Sequence, residues 1–258
     1  MLRKVIYRAT IMASPIRIQK YLSELDMCSR REAERWLIAG RIRINGKIVT
    51  ELGTMIDPDR DQLSIETPEK ATPVYKYIAF HKPVGIVSNL PTKGEREIRN
   101  LLPAEYSKLH TIGRLDKDSE GLILLTDDGV FAKHALAAQH EREYVVTVSG
   151  EFTGGMAERI EEGVTIFGKK TKRSMIEMLE SNRFIIRMNE GKNRQIRRMI
   201  TKLGLAVIRL IRVRYGQIPL SHLEPGHYRN LAQYEIDGIR NPEKANSGAS
   251  RRSRYRRK

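Results

Sequence analysis

The chain has one cysteine, Cys28, in 258 residues. That excludes an intramolecular disulfide framework and every zinc site built on several thiolates, and it points to a reducing compartment, the cytoplasm. No apolar run approaches the roughly 20 residues a bilayer span needs, and no apolar core with a cleavage site follows the start, so no membrane is expected as a partner. Histidines are few and scattered. His134 and His140 have no companion at metal-ligand spacing, so no metal is expected. Neither G-x-x-x-x-G-K-[ST] nor G-x-G-x-x-G occurs, which removes support for nucleotide-driven or dinucleotide chemistry. Acids are also scarce: 31 Asp and Glu face 47 Lys and Arg, a net charge of +16. Such a surplus fits a polyanionic partner, and the 40% of hydrophobic residues is enough for a packed core.

The surplus is uneven. Residues 75–186 are neutral overall, whereas residues 187–240 carry +7 and residues 241–258 carry +6. The tail from Asn241 to Lys258 is rich in Arg and Ser and has no apolar periodicity. It reads as a disordered basic arm for nonspecific phosphate contact. The opening stretch to residue 15 is basic at first and reads as a disordered extension, with Met12 as an alternative start.

A small module follows. Ile18, Leu22 and Leu25 recur at helical spacing, and Ser29 with Glu32 forms a capping-box signal ahead of Ala33, Trp36 and Leu37. Gly40 ends that helix. Ile42 and Ile44 then alternate with arginines, and Asn45-Gly46 supplies a tight hairpin turn. Arg30, Arg31, Arg35, Arg41 and Lys47 lie off the apolar positions and form a basic surface. Residues 67–73, with two prolines and little to pack, read as a linker.

The remainder reads as one α+β domain to residue 240. Strands are expected at Tyr75–Phe80, Leu122–Thr126, Tyr144–Val148, Ile176–Met188 (broken at Ser181-Asn182) and Ala206–Val213. Helices are expected at Phe131–Ala138, Met156–Glu162 and Arg194–Leu203. The last of these breaks a local rule. Asn193 is a good N-cap, yet Arg194, Arg197 and Arg198 place positive charge where the helix dipole disfavours it. Rules tend to be broken at functional sites, so this segment reads as a cradle for an anion, either a phosphate or a carboxylate of the protein itself. A second candidate is the polar loop Gly113-Arg114-Leu115-Asp116-Lys117-Asp118-Ser119-Glu120-Gly121, which feeds a buried strand; periodicity does not say which of its acids matters.

Gly113-Arg114-Leu115-Asp116 with Ser119-Glu120-Gly121-Leu122 closely resembles the catalytic motif of the RsuA-type ribosomal RNA pseudouridine synthases. Three other segments agree in order and spacing: Lys82-Pro83-Val84-Gly85, Arg142-Glu143-Tyr144-Val145, and Glu190 to Met199 with Gln195-Ile196-Arg197 at its centre. The module at 16–66 resembles the S4 RNA-binding domain of these enzymes. Lys117-Asp118-Ser119 leans toward the RluF-like branch acting on large-subunit rRNA. The resemblance spans residues 16 to 235. It implies an S4 domain of two helices and a hairpin, then a pseudouridine synthase domain at 74–240 with a mixed, largely antiparallel sheet flanked by helices.

The resemblance also implies roles. Asp116 is the essential carboxylate, either attacking as a nucleophile or taking a proton. Arg197 is the guanidinium that keeps it charged, and Tyr144 stacks on the extruded uracil. Arg114 reaches into the RNA where the nucleotide has left, Lys82 orders its turn, Ile196 supports the site, and Lys192, Arg194 and Arg198 contact phosphates. The reaction loses no atom and changes no oxidation state, so it needs neither metal nor cofactor. The expected partner is rRNA, free or in an assembly intermediate, with tRNA as a further candidate, and the expected state is a monomer. The competing reading is a non-catalytic RNA-binding or ribosome-assembly factor on the same fold.

Overall fold

The computed structural model describes residues 3–7, 15–67, 74–137 and 140–241, without side chains for the first five or for Thr67. Apart from Thr67 and Asn241, the linker and the basic tail lie outside the described residues. The chain divides into two compact units, Met1–Tyr75 with Asp128–Val130, and Lys76–Asp127 with Phe131–Lys258.

The first unit contains β1 (Arg3–Tyr7), α1 (Ile18–Glu24), α2 (Arg30–Ile38), β2 (Ile42–Ile44), β3 (Lys47–Val49) and β4 (Leu63–Thr67). Ser29 caps α2, its hydroxyl accepting the Glu32 N–H at 3.2 Å, while the Glu32 carboxylate takes the Trp36 indole N–H at 2.8 Å. Asn45 and Gly46 both have positive φ, 52° and 80°, as a type I′ hairpin between β2 and β3 requires. Ile18, Leu22, Ala33, Leu37 and Ile42 are fully buried and hold the helices against the sheet. Cys28 lies in the same core, where burial pushes its thiol up to about 12, so it packs as an apolar residue. One expectation is corrected here. Arg3–Tyr7, expected to be disordered, pairs antiparallel with β4, because that strand's free edge offers a ladder of unpaired backbone groups.

The second unit is a sheet between two layers of helices. Its elements are β5 (Tyr77–Lys82), β6 (His110–Ile112), β7 (Glu120–Thr126), α3 (Gly129–Leu136), β8 (Arg142–Val148), α4 (Gly154–Glu162), β9 (Thr165–Ile166), β10 (Lys169–Lys170), β11 (Met175–Glu180), β12 (Arg183–Met188), α5 (Gln195–Thr201), β13 (Val207–Tyr215), β14 (Tyr228–Asn230) and α6 (Gln233–Arg240). The main strands run in the order β11-β12-β8-β13-β7-β5-β14, with β6 also on β7. Only β13 and β7 pair in parallel among the named neighbours, so the sheet is mixed and largely antiparallel.

Every residue of β7 is buried, as a strand covered on both faces demands. Ile123 and Leu125 join Phe80, Tyr144, Phe184, Ile160 of α4 and Met199 and Ile200 of α5 on one face. Leu122 and Leu124 join Ala79, Phe131 of α3 and Ile236 and Ile239 of α6 on the other. The alternation along one strand therefore sorts the helices into two layers. Helix α6 runs on past residue 235, where the family-like segment ends. Its N-terminus is closed by Glu235, which is 1% exposed, accepts the Ala232 N–H at 2.9 Å and receives both arms of Arg229 at 2.7 Å.

Candidate active site

The segment from Gly113 to Gly121 leads from β6 into β7, and its backbone is tied on both sides of Asp116. Ser88, 4% exposed, grips Leu115 twice: its hydroxyl donates to the Leu115 carbonyl at 2.7 Å and accepts the Leu115 N–H at 2.9 Å. Gly85 N–H donates to the Lys117 carbonyl at 2.8 Å, and Ser119 N–H donates to the Asp116 carbonyl at 3.1 Å. Arg197 Nη2 donates to the Asp118 carbonyl at 2.7 Å. Asp116 stands between these anchors with its side chain one-third exposed. A reactive group on a backbone fixed this way is pre-positioned.

Gly121 ends the segment where nothing larger fits. Its φ is +111°, and a Cβ there would lie 2.4 Å from the Arg212 carbonyl oxygen. The close approach belongs to a row across the sheet in which Lys82 faces Gly121, Gly121 faces Arg212, and Arg212 faces Tyr144. Two buried cations sit in this row. Lys82 is 0% exposed, and its Nζ donates to the carbonyls of Pro83 at 2.9 Å and Ile86 at 2.7 Å. Burial pulls Lys82 down to about 8, against the attraction of Asp118, Asp116 and Glu120. Arg212 is 2% exposed; its Nε donates to the Leu122 carbonyl at 2.5 Å, while its buried Nη2 has no hydrogen-bond partner among the described residues.

Arg197, which the sequence reading set against Asp116, feels that acid through space. Its short contacts go to Asp118 and its neighbours, with Nε 3.3 Å from the Asp118 carboxylate, Nη2 on the Asp118 carbonyl and near the Ser119 hydroxyl, and Nη1 on the Val207 carbonyl at 3.1 Å. Arg194 approaches both acids. It binds Asp118 with two hydrogen bonds, 3.0 and 2.8 Å, and comes within 3.7 Å of Asp116. The bond from Arg194 holds the Asp118 carboxyl below its usual range. Asp118 thus engages two guanidinium groups, and the charge that opposed the dipole of α5 is compensated by an acid from another loop. The expected N-cap also moves: Arg194, in the left-handed region with φ 50°, caps α5, and Asn193 accepts two hydrogen bonds from Arg198.

Tyr144 and Ile196 both join the apolar cluster that contains Leu115. Tyr144 is 7% exposed, so its ring is not an open platform. Arg114 is exposed. Lys192 is paired with Glu190 at 3.4 Å, and Arg198 lies over the Phe167 ring, 4.2 Å from its centroid. In the first unit Arg30, Arg31, Arg35 and Lys47 are exposed, with Arg35 ion-paired to Glu32, and Arg41 is half-buried.

Sequence reasoning missed Ser88, Arg212 and Phe167. A serine far from a motif carries no signal of what it grips, and an arginine in an apolar strand reads as an edge. Among the described residues no group of three or more His, Cys, Asp or Glu could hold a metal, and no helix is long and apolar enough to cross a membrane. Chemically, the arrangement offers a fixed, part-exposed carboxylate with a guanidinium nearby, on a loop whose Leu115 joins the apolar core. Such an acid can attack an electrophilic carbon or take a proton.

Comparison with known proteins finds relatives of both units. Residues 76–202 match the RNA pseudouridylate synthase family, and residues 16–61 match the S4 domain. The dual-specificity RNA pseudouridine synthase RluF of Escherichia coli (strain K12) is 38% identical over 229 residues, covering 86% of this chain and 78% of that protein. The ribosomal large subunit pseudouridine synthase B of Bacillus subtilis (strain 168) is 32% identical over 235 residues, covering 87% and 95%. A crystal structure of a pseudouridylate synthase superposes with a TM-score of 0.65 at 28% identity, covering 87% of this chain and 99% of that one. The family model stops before β13, which runs through the middle of the sheet, so the fold needs residues beyond the matched segment.

Proposed function

From the premise that the chain belongs to the RNA pseudouridine synthases with an S4 domain, we propose that it isomerises a uridine of large-subunit rRNA, with Asp116 as the acting acid. The observation that carries this reading is the double anchoring of Asp116, by Ser88 through Leu115 on one side and by Gly85 and Arg197 on the other.

The reaction breaks the bond from N1 of the base to C1′, turns the base, and joins C5 to C1′; the proton leaving C5 balances the one gained at N1. Asp116 starts it either by adding to the nucleoside or by taking a proton from the sugar. Water must stay out, because hydrolysis would leave an abasic site. The apolar core reached by Leu115, to which Tyr144 and Ile196 also belong, keeps water from that side of the loop. Arg194 stabilises the charge on Asp116, Arg197 positions the loop through Asp118, and Lys82 holds the preceding turn. Arg114, Lys192 and the basic face of the S4 unit (Arg30, Arg31, Arg35, Arg41 and Lys47) contact the RNA backbone, whose phosphates position without specifying. On the same reading the enzyme works as a monomer in the cytoplasm, with a tRNA as a further candidate substrate.

The test is a site-resolved map of pseudouridines in rRNA from cells lacking the gene, complemented by wild-type or Asp116→Asn protein. One uridine should lose its modification, with only the wild type restoring it. An unchanged map, with purified protein inert on rRNA fragments, would leave the assembly-factor reading in its place.

A further inference from the structure

One exposed aromatic has no part in the core or in the site described above. Phe167 sits at the tip of the β9–β10 hairpin and is 70% exposed. Its φ of 51° and the 71° of Gly168 make the tip a type I′ turn, where Asn or Gly is the unstrained choice and a bulky residue is disfavoured. The neighbouring Ile166, by contrast, is 4% exposed and anchors the hairpin. An aromatic kept where both solvent and backbone disfavour it calls for a role outside the protein's own stability.

The surroundings indicate which role. The Arg198 guanidinium lies over the ring at 4.2 Å and is tied by two hydrogen bonds to Asn193, so the aromatic face and the cation are held together. Lys169 and Lys170 form the second strand of the hairpin, and Lys172 comes just after it. All three are exposed, and none is in an ion pair among the described residues. Arg198 is also one helical turn from Arg194, which reaches Asp116. An aromatic face beside a track of cations is how proteins hold single-stranded nucleic acid: bases stack on the ring while the backbone follows the charges.

We infer that Phe167 with Arg198 is a stacking platform for an unpaired RNA base near the reacting uridine, with Lys169, Lys170 and Lys172 taking the flanking phosphates. The inference rests on the RNA-modifying reading and deepens it by naming where the strand lies outside the pocket. A docked protein would leave the same patch unused by RNA, and that is the outcome the experiment can return instead.

The test is binding of the full chain to a fluorescein-labelled oligouridine of about ten nucleotides, a length within the range of such strand-binding sites. Phe167→Leu keeps an apolar side chain and should weaken affinity about five- to a hundred-fold, whereas Phe167→Tyr should stay within about twofold of wild type. Lys169→Ala with Lys170→Ala should flatten the dependence of log affinity on log salt by about 0.7 for each phosphate no longer neutralised. Equal affinity of Phe167→Leu and wild type would overturn the platform. Should that variant fail to fold, Phe167→Trp in a Trp36→Phe background decides: quenching of its emission by the oligouridine supports the platform, and unchanged emission refutes it. Because these readouts are affinities, Asp116→Asn protein gives them as well, and failure of the platform stays distinct from failure of the isomerase reading.

Discussion

Two loops of the second unit take opposite approaches to solvent. The loop around Asp116 is held by Ser88, Gly85 and Arg197, and the aromatic that shares its apolar cluster, Tyr144, is 7% exposed. The β9–β10 hairpin presents Phe167 at 70% exposure with lysines beside it. Moving bonds requires a fixed acid in a water-poor pocket, whereas holding a strand requires an open face that tolerates many bases. Changes in the first loop should therefore lower turnover or stability, and changes in the second should lower affinity.

The largest expected effect is at Asp116. Replacing it with Asn keeps the shape and removes the charge, so turnover should fall on the order of 10⁴-fold with RNA affinity little changed, as single-turnover conversion and equilibrium binding would show. Residual turnover within tenfold of wild type would remove Asp116 from the centre of the chemistry.

Arg197 and Arg194 come next, and they separate the sequence reading from the structural one. Arg197 is mostly buried and serves two carbonyls and Asp118, so Arg197→Ala should destabilise the fold by about 2–4 kcal/mol in urea unfolding. Arg194 is more exposed, so its loss should cost under about 1 kcal/mol of stability while still slowing turnover, because it is the guanidinium within 3.7 Å of Asp116. Equal stability losses would mean that the two share one structural role.

Ser88→Ala leaves the Leu115 N–H and carbonyl without their buried partner. It should cost about 1–3 kcal/mol and lower the maximal rate more than the affinity. A variant with wild-type turnover would show that the anchoring of Asp116 is dispensable.

The smallest effect concerns pH. Lys82 keeps its proton up to about 8 in the fold, and in the unfolded chain up to the ordinary lysine range near 10.4. Between those values the unfolded state binds more protons, so stability should rise with pH through this window. Activity should fall over the same window, since Asp116, Asp118 and Glu120 then have one cation fewer nearby. Lys82→Met should flatten both trends; a variant retaining either one would assign that trend to another group.

Much of this layout is legible in the sequence. The apolar run Leu122–Thr126 announces a strand buried on both faces, and Asn45-Gly46 announces its hairpin, because one depends on apolar content and the other on two residues that tolerate positive φ. The turn at Phe167-Gly168 is invisible there because Phe contradicts the usual turn chemistry. Helix α6 escapes notice because it is fixed by a distant partner, Arg229 on Glu235, rather than by its own pattern. At the site, the motifs pick out the segment and the arginine cluster but not which arginine meets which acid. A guanidinium can swing through several ångströms, and its partner is chosen by which carbonyls and carboxylates the neighbouring loops leave within reach.

The sequence by itself determined the basic surplus, the apolar pattern of the central strands and the segments that make up the candidate site, since these depend on local pattern and on residue type. Tertiary structure alone decided that Asp118 absorbs both arginines, that Lys82 and Arg212 are buried as cations, that Tyr144 is enclosed, and that Phe167 stands open. Each of these is set by residues distant along the chain, and its energy depends on burial and distance, which no stretch of sequence contains.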